Sequence, residues 1–192
     1  MTTDESRKLL DAIDPKGRHA KRDKAMLWAL AVGLRVGEVV ALNVGDVLPP
    51  KDGQLAGLRV HGKRSYERIV PLSGAAYGAI ADCLKERGQT APDAPLFAGV
   101  CAGDTQHRLT TRAVEKWFAD LVTSAGLDGS KGHPHVARHG FATRLLFEGH
   151  APGSLYTVSK LLGHSNLSTT EKYLHLDRRA MQTAILSDPL TV

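Results

Sequence analysis

Apolar positions recur every three or four residues along most of this chain, and a shorter alternation breaks the pattern once. Thr2-Thr3-Asp4-Glu5 opens the first helical stretch. Thr2 and Glu5 stand at capping-box spacing, so a helix is expected from about Ser6 to Ile13 with Leu9, Leu10 and Ile13 on one side. Asp14-Pro15-Lys16-Gly17 ends it, and Arg18 to Lys24 reads as a basic, solvated loop or helix face. Met26 to Ala31 suits a buried helix, Gly33 turns the chain, and Glu38 to Leu42 starts a second short helix. From Asp46 to Leu72 the period drops to two. Val47-Leu48, Leu58-Arg59-Val60-His61 and Glu67-Arg68-Ile69-Val70 read as three antiparallel strands, with Gly62-Lys63-Arg64-Ser65-Tyr66 as a hairpin tip. Helical spacing returns at Ser73–Arg87, with Ala76, Ile80 and Leu84 inward, and Gly88 closes that helix. Gly88 to Gly103 reads as a loop.

Leu109-Thr110-Thr111 caps a further helix to about Ala125, on which Val114, Trp117, Phe118 and Leu121 are core-spaced. After a Gly-rich connector, Pro134 starts a helix whose Phe141, Ala142, Leu145 and Leu146 pack beneath. A short helix from Leu155 to Leu162 stops at Gly163. Ser168-Thr169-Thr170-Glu171 caps the next helix, and an amphipathic tail runs from Asp177 to Leu186. The fold class expected is mainly α with a small three-stranded antiparallel sheet, an α+β arrangement.

Composition narrows the function classes. A chain of 192 residues with 42% hydrophobic and 23% charged residues has enough apolar material for one substantial core. No apolar run reaches the length of a membrane span, so no membrane role is expected. Two cysteines, Cys83 and Cys101, make neither a disulfide framework nor a thiolate metal cluster, which fits a cytoplasmic location. The formal net charge of +5 permits nucleic-acid binding without requiring it.

The chemistry-bearing residues concentrate between His133 and Tyr173. His135 and Arg138, three apart, share a helix face. His164 follows Leu-Leu-Gly, where a helix ends, and Tyr173 lies nine residues on. A tyrosine can attack phosphorus and hold the product as an ester, given positive groups around the phosphate oxygens and a proton donor for the leaving oxygen. Upstream, Arg35 sits among Leu34, Val36 and Val39 with Glu38 three residues away. It reads either as a plain Arg35–Glu38 pair or as a guanidinium held by Glu38 and aimed at a phosphate. Lys63 on the hairpin tip is either a solvated charge or a proton donor. His107, Arg108, Arg112 and Lys116 stand on or before one helix, as a solvated face or as contacts to a DNA backbone. His135 and His139 have the i,i+4 spacing of a metal-binding pair, but Val136 follows His135, so no HExxH pattern is completed.

Taken together, five segments resemble the catalytic domain of the tyrosine recombinases, the phage-integrase and Xer-like family. They are Gly33-Leu34-Arg35-Val36-Gly37-Glu38; Gly62-Lys63 with Glu67 to Leu72; His135-Val136-Ala137-Arg138-His139; Leu161-Leu162-Gly163-His164-Ser165; and Ser168 to Tyr173. The resemblance implies the DNA breaking-rejoining fold over residues 1–192. It implies Tyr173 as the nucleophile that forms a 3′-phosphotyrosyl bond, Arg35 and Arg138 as clamps on the non-bridging oxygens, and Lys63 as general acid. His135 would assist proton transfer, His164 would donate a hydrogen bond to the phosphate, and Glu38 would orient Arg35. Arg64, Arg108, Arg112 and Lys116 would be DNA contacts. No metal or other cofactor is implied. The partner implied is double-stranded DNA, bound by a homo-oligomer, a tetramer, joined through the C-terminal tail.

Three departures from the family pattern bear on these expectations. The loop between Gly149 and Gly163 reads as a few residues longer than is common in the family. Arg64 stands where the family hairpin usually shows a second glycine. The family's N-terminal helical DNA-binding domain is absent from this chain, so weak, salt-sensitive DNA binding and poor recombination by the chain alone are expected. The rival readings are a DNA-binding module without activity of its own, a type IB topoisomerase-like relaxase, and a metal-dependent enzyme.

Overall fold

The computed structural model describes residues 1–51, 53–62, 67–88, 91–101, 104–148, 158, 162 and 163. The chain divides into two compact units, Met1–Phe141 and Ala142–Val192.

In the first unit, helix α1 (Thr3–Asp11) begins where the capping box predicts: Thr2 Oγ1 accepts from the Glu5 amide, and Glu5 Oε2 accepts from the Thr2 amide. Lys131, on a 3₁₀ turn at Gly129–Lys131, reaches back to the same Glu5 carboxylate. Helix α2 (Ala20–Ala31) starts earlier than the apolar run alone suggests. The basic segment is its first turn, where Arg22 is half-buried and hydrogen-bonds Asp23 and the Ala98 carbonyl.

The end of α2 is a Schellman turn. The Gly33 amide donates to Leu30 O at 3.0 Å and the Leu34 amide to Ala29 O at 3.3 Å, with Gly33 at φ 91° and Leu34 fully buried. A side chain is strained at that φ. Gly33→Ala is expected to cost about 1–2 kcal/mol, which for a chain this size lowers Tm by roughly 2–8 °C in a thermal melt; an unchanged Tm would mean the turn relaxes freely. Helix α3 (Val36–Ala41) follows at once.

A 3₁₀ turn at Val44–Asp46 leads into β1 (Val47–Leu48), which pairs antiparallel with β2 (Gly57–His61); β2 pairs antiparallel with β3 (Glu67–Pro71). The sheet order is β1-β2-β3. Leu58 and Val60 of β2 and Val70 of β3 point inward, while Ile69, opposite Arg59, is 60% exposed. Ser73 caps α4 (Gly74–Arg87) through the Ala76 amide, and Gly88 closes it at φ 77°. Helices α2 and α4 pack against each other. Cys83 on α4 is buried, and burial pushes its thiol up to about 11, the state of an inert packing residue.

The segment after α4 is more ordered than its composition suggests. Arg87 donates to the Pro95 and Leu96 carbonyls, and the Val44, Gly45 and Leu96 amides donate to Ala94, Pro92 and Leu42 oxygens. Strands β4 (Ala98–Cys101) and β5 (Asp104–Arg108) then form a second, two-stranded sheet with an irregularity between Gly99 and Cys101. The expected loop therefore gives way to a hairpin. Thr110 caps α5 (Thr111–Ser124), and α6 runs from His135 to Thr143.

The core gathers Leu9, Met26, Leu30, Leu34, Val39, Leu58, Val70, Leu72, Ile80, Phe97, Val114 and Phe118. Each fully buried side chain of this kind contributes about 1.5–3 kcal/mol. In the second unit, a π-helical segment covers Arg144–Glu148, Ala142, Val158 and Leu162 are buried, and Gly163 has φ 65°, as expected for a helix stop. Among the described residues no helix is long and apolar enough to cross a membrane.

Candidate functional site

Three arginines from three distant parts of the sequence meet at one carboxylate. Glu38 lies in the first turn of α3, its side chain 10% exposed. Its Oε2 accepts from the Arg35 amide at 2.8 Å, which fixes the start of the helix, and its Oε1 accepts from Arg35 Nη1 at 2.9 Å. Arg68, from β3, faces it with a full fork: Nη1 donates to Oε1 and Nη2 to Oε2, both at 2.9 Å. Arg138, from α6, comes within 3.9 Å of Oε2 and donates from Nη1 to the Gly33 carbonyl.

Local structure explains why these groups meet. The Schellman turn at Gly33 directs the chain from α2 into α3 and presents the Gly33 carbonyl to Arg138. Strand periodicity puts Arg68 on the same face as Val70, so it points inward and is 8% exposed. Arg138 is 5% exposed on α6, whereas the Arg35 side chain is 40% exposed.

Electrostatics then fix the charge state. Burial alone raises the Glu38 carboxyl, but the Arg68 fork, the Arg35 amide and the two guanidinium charges outweigh it and hold the acid below the ordinary carboxylate range. Glu38 is an anion at neutral pH, and guanidinium groups remain cations at any accessible pH. The cluster is a fixed array of positive groups with one half-exposed fork, suited to an anion with planar-paired oxygens such as a phosphate.

The expected pair Arg35–Glu38 and the expected partner Arg138 are thus brought together. Sequence reasoning missed Arg68. Its signal was present, since it shares strand parity with two apolar residues, but its partner lies 30 positions away. His135 and Arg138 do share α6, yet His135 is exposed where Arg138 is buried. His139 is exposed as well, because Ala137, Arg138 and Gly140 take the buried positions around it. Partial desolvation of the ring and neighbouring positive charges lower its pKa.

Arg108 is engaged within its own chain. Its guanidinium donates to the Val40 and Leu42 carbonyls and to Asn43 Oδ1, capping the C-terminal end of α3. Lys116 pairs with Asp120 one turn on at 2.8 Å, on an exposed face, and Arg112 is exposed. Lys63, Arg64, His164, Tyr173 and the tail lie outside the described residues. Among the described residues no three His, Cys, Asp or Glu side chains are grouped to hold a metal ion.

At the base of the β2–β3 hairpin, His61 bridges two carboxylates. Nε2 is 3.0 Å from Asp46 Oδ1 and Nδ1 is 3.0 Å from Glu67 Oε1. Ionised carboxylates only accept, so both ring nitrogens must carry protons. The Asp46 hydrogen bond is the main reason its pKa is raised, against a smaller opposing effect of burial. A raised folded pKa gives stabilisation that is complete below about pH 6.5 and is lost as pH rises through the folded value. The half-exposed ring is screened by solvent, so the gain is below about 1 kcal/mol. The stability difference between the unaltered chain and His61→Ala, measured by urea denaturation, is expected to shrink between pH 6 and 8.5 (about two units spanning the ordinary value). A constant difference would remove the ionic part of the bridge.

Comparison with known proteins bears on this geometry. A profile of the phage integrase family matches residues 1–179. Tyrosine recombinase XerC of Shewanella amazonensis is 40% identical over 171 residues, 88% of this chain and 53% of the relative. Its counterpart in Proteus mirabilis is 39% identical, over 92% of this chain and 54% of the relative. The chain therefore spans about half the length of the curated relatives it matches. The crystal structure of XerA recombinase matches with a TM-score of 0.76 at 29% identity, over 98% of this chain and 64% of that one. The structure of XerH site-specific recombinase bound to palindromic difH substrate in a post-cleavage complex shares the fold at TM-score 0.77 and 24% identity, over 96% of this chain and 51% of that one.

Proposed function

The chain belongs to the phage integrase family of tyrosine recombinases, and from that membership we propose that residues 1–192 are the catalytic domain of a site-specific DNA recombinase acting in the cytoplasm. The observation that carries the reading is the convergence of Arg35 and Arg138, from α3 and α6, on the Glu38 carboxylate.

In the proposed reaction the Tyr173 oxygen attacks the scissile phosphorus. The bond from phosphorus to the 5′-oxygen breaks, and a 3′-phosphotyrosyl bond forms. Arg35 and Arg138 hold the non-bridging oxygens as negative charge builds on them. Lys63 gives its proton to the departing 5′-oxygen. His135 assists removal of the tyrosine proton, and His164 donates a hydrogen bond to the phosphate. Glu38 keeps the arginine forks in place. A 5′-hydroxyl of another strand then attacks the phosphotyrosine, releases Tyr173 and restores the phosphodiester. The bond energy is conserved in the ester, so the scheme needs no nucleotide and no metal. Double-stranded DNA is the substrate, and a homotetramer joined through the C-terminal tails is the proposed assembly.

Incubation with a nicked duplex carrying the target site, or a library of sites, tests the scheme. A protein–DNA adduct that survives denaturation is expected, and Tyr173→Phe should abolish it. An adduct that persists in Tyr173→Phe would overturn the assignment of the nucleophile. The chain covers about half of its relatives' length, which favours a second reading, a DNA-binding module inactive on its own. DNA binding by the folded chain without any adduct would select it.

A further inference from the structure

We propose that Arg68 is a positioning residue of this centre: its fork fixes the plane of the Glu38 carboxylate so that each carboxylate oxygen faces one of the two clamp arginines. The proposal rests on the reading of Arg35 and Arg138 as a phosphate clamp.

The geometry divides the work of the two oxygens. Oε1 accepts from Arg68 Nη1 and from Arg35 Nη1, both at 2.9 Å. Oε2 accepts from Arg68 Nη2 at 2.9 Å and from the Arg35 amide at 2.8 Å, with Arg138 Nη1 3.9 Å away. A carboxylate held by one donor can rotate about its last bond. One gripped at both oxygens by a planar fork has that torsion fixed, so its lone pairs point in set directions. Arg68 is itself held firmly. It is 8% exposed, it sits on a strand whose neighbours Arg59 to His61 pair with it in register, and Val70 beside it is buried. The fork thus ties β3 directly to the first turn of α3 at the site.

Arg68→Lys separates charge from geometry. A lysine keeps a positive charge near Glu38 but has no planar fork. On the nicked duplex, single-turnover adduct formation is expected to fall by about 10–100-fold, on the scale of losing a supporting partner behind a site, while duplex affinity and Tm stay close to those of the unaltered chain. Arg68→Lys combined with Arg35→Ala should lose less than the product of the two single losses, because the share of the positioning that acts through Arg35 disappears with it.

Full additivity of the two losses, or a rate that merely follows Tm across Arg68→Lys and Arg68→Met, would overturn the proposal in favour of a purely structural pair. Unchanged cleavage by a folded Arg68→Lys would overturn it outright, leaving the recombinase reading intact. An unaltered chain that makes no adduct under the same conditions would overturn both. Should Arg68→Met fail to fold, the Arg68→Lys comparison and its double variant still decide.

Discussion

Glu38→Ala is expected to destabilise the fold by about 3–5 kcal/mol, the usual loss when one member of a buried ion pair is removed. For a chain this size that is a fall in Tm of roughly 6–20 °C. The physical reason is asymmetry. Arg68 and Arg138 side chains are each 6% exposed and arrive from β3 and α6 whether or not the carboxylate is there to meet them. Without it, two guanidinium groups lie close together in a poorly solvated space. The Arg35 amide also loses its acceptor, and the first turn of α3 loses its cap. Glu38→Gln keeps the volume and part of the hydrogen bonding, so its loss should be smaller.

Acid gives the same answer by another route. The Glu38 carboxyl is held below its ordinary range, so its contribution is present above the unfolded pKa, about 4.3 for glutamate, and is lost as pH falls through the folded value. Denaturation profiles from pH 7 to 3 (spanning that ordinary value) should therefore converge for the unaltered chain and Glu38→Ala. Parallel profiles, or a Tm for Glu38→Ala within a degree or two of the unaltered chain, would show that the arginines find other anions.

Arg35→Ala is expected to lower adduct formation by about 10²–10³, the effect of losing one preorganised donor to a transition-state oxyanion, with a much smaller change in Tm. Its side chain is 40% exposed, so little buried packing goes with it. Glu38 keeps Arg68 as its principal partner. Duplex binding at moderate salt should weaken only modestly, because one phosphate contact among many is lost. Equal losses in affinity and in cleavage rate would place Arg35 in ground-state binding instead of at the reacting phosphate.

Much of the scaffold was legible because its signals are local. The Thr2–Glu5 capping box, the Ser73 and Thr110 caps, and the stops at Gly33 and Gly88 are each decided within four residues. The three strands were legible from alternation. The Arg35–Glu38 pair is equally local, at three residues apart. The β4–β5 hairpin was not legible. Its strand Ala98-Gly99-Val100-Cys101 carries little β-branched or aromatic signal, and it is held by pairing and by Arg22 on the Ala98 carbonyl, from 76 residues away. The acceptors of Arg68 and Arg108 were missed for a related reason. A charged residue in a strand or before a helix suggests solvent, and only the fold reveals that each has an acceptor waiting 30 or more residues back.

The shortness of α3 has a consequence for how the centre comes into being. Six residues are too few to hold a helix in water. This one is secured at its start by Glu38 and Arg68 and at its end by Arg108. During synthesis Arg35 and Glu38 come before the residues that hold them: the last of the two fastenings follows some 70 residues later, and Arg138 follows still later, 105 positions after the Gly33 carbonyl that receives it. A nascent chain stalled before Arg108 therefore carries three of the centre's four residues, Arg35, Glu38 and Arg68, without its shape. The four side chains reach their common arrangement only after Arg138 has been made.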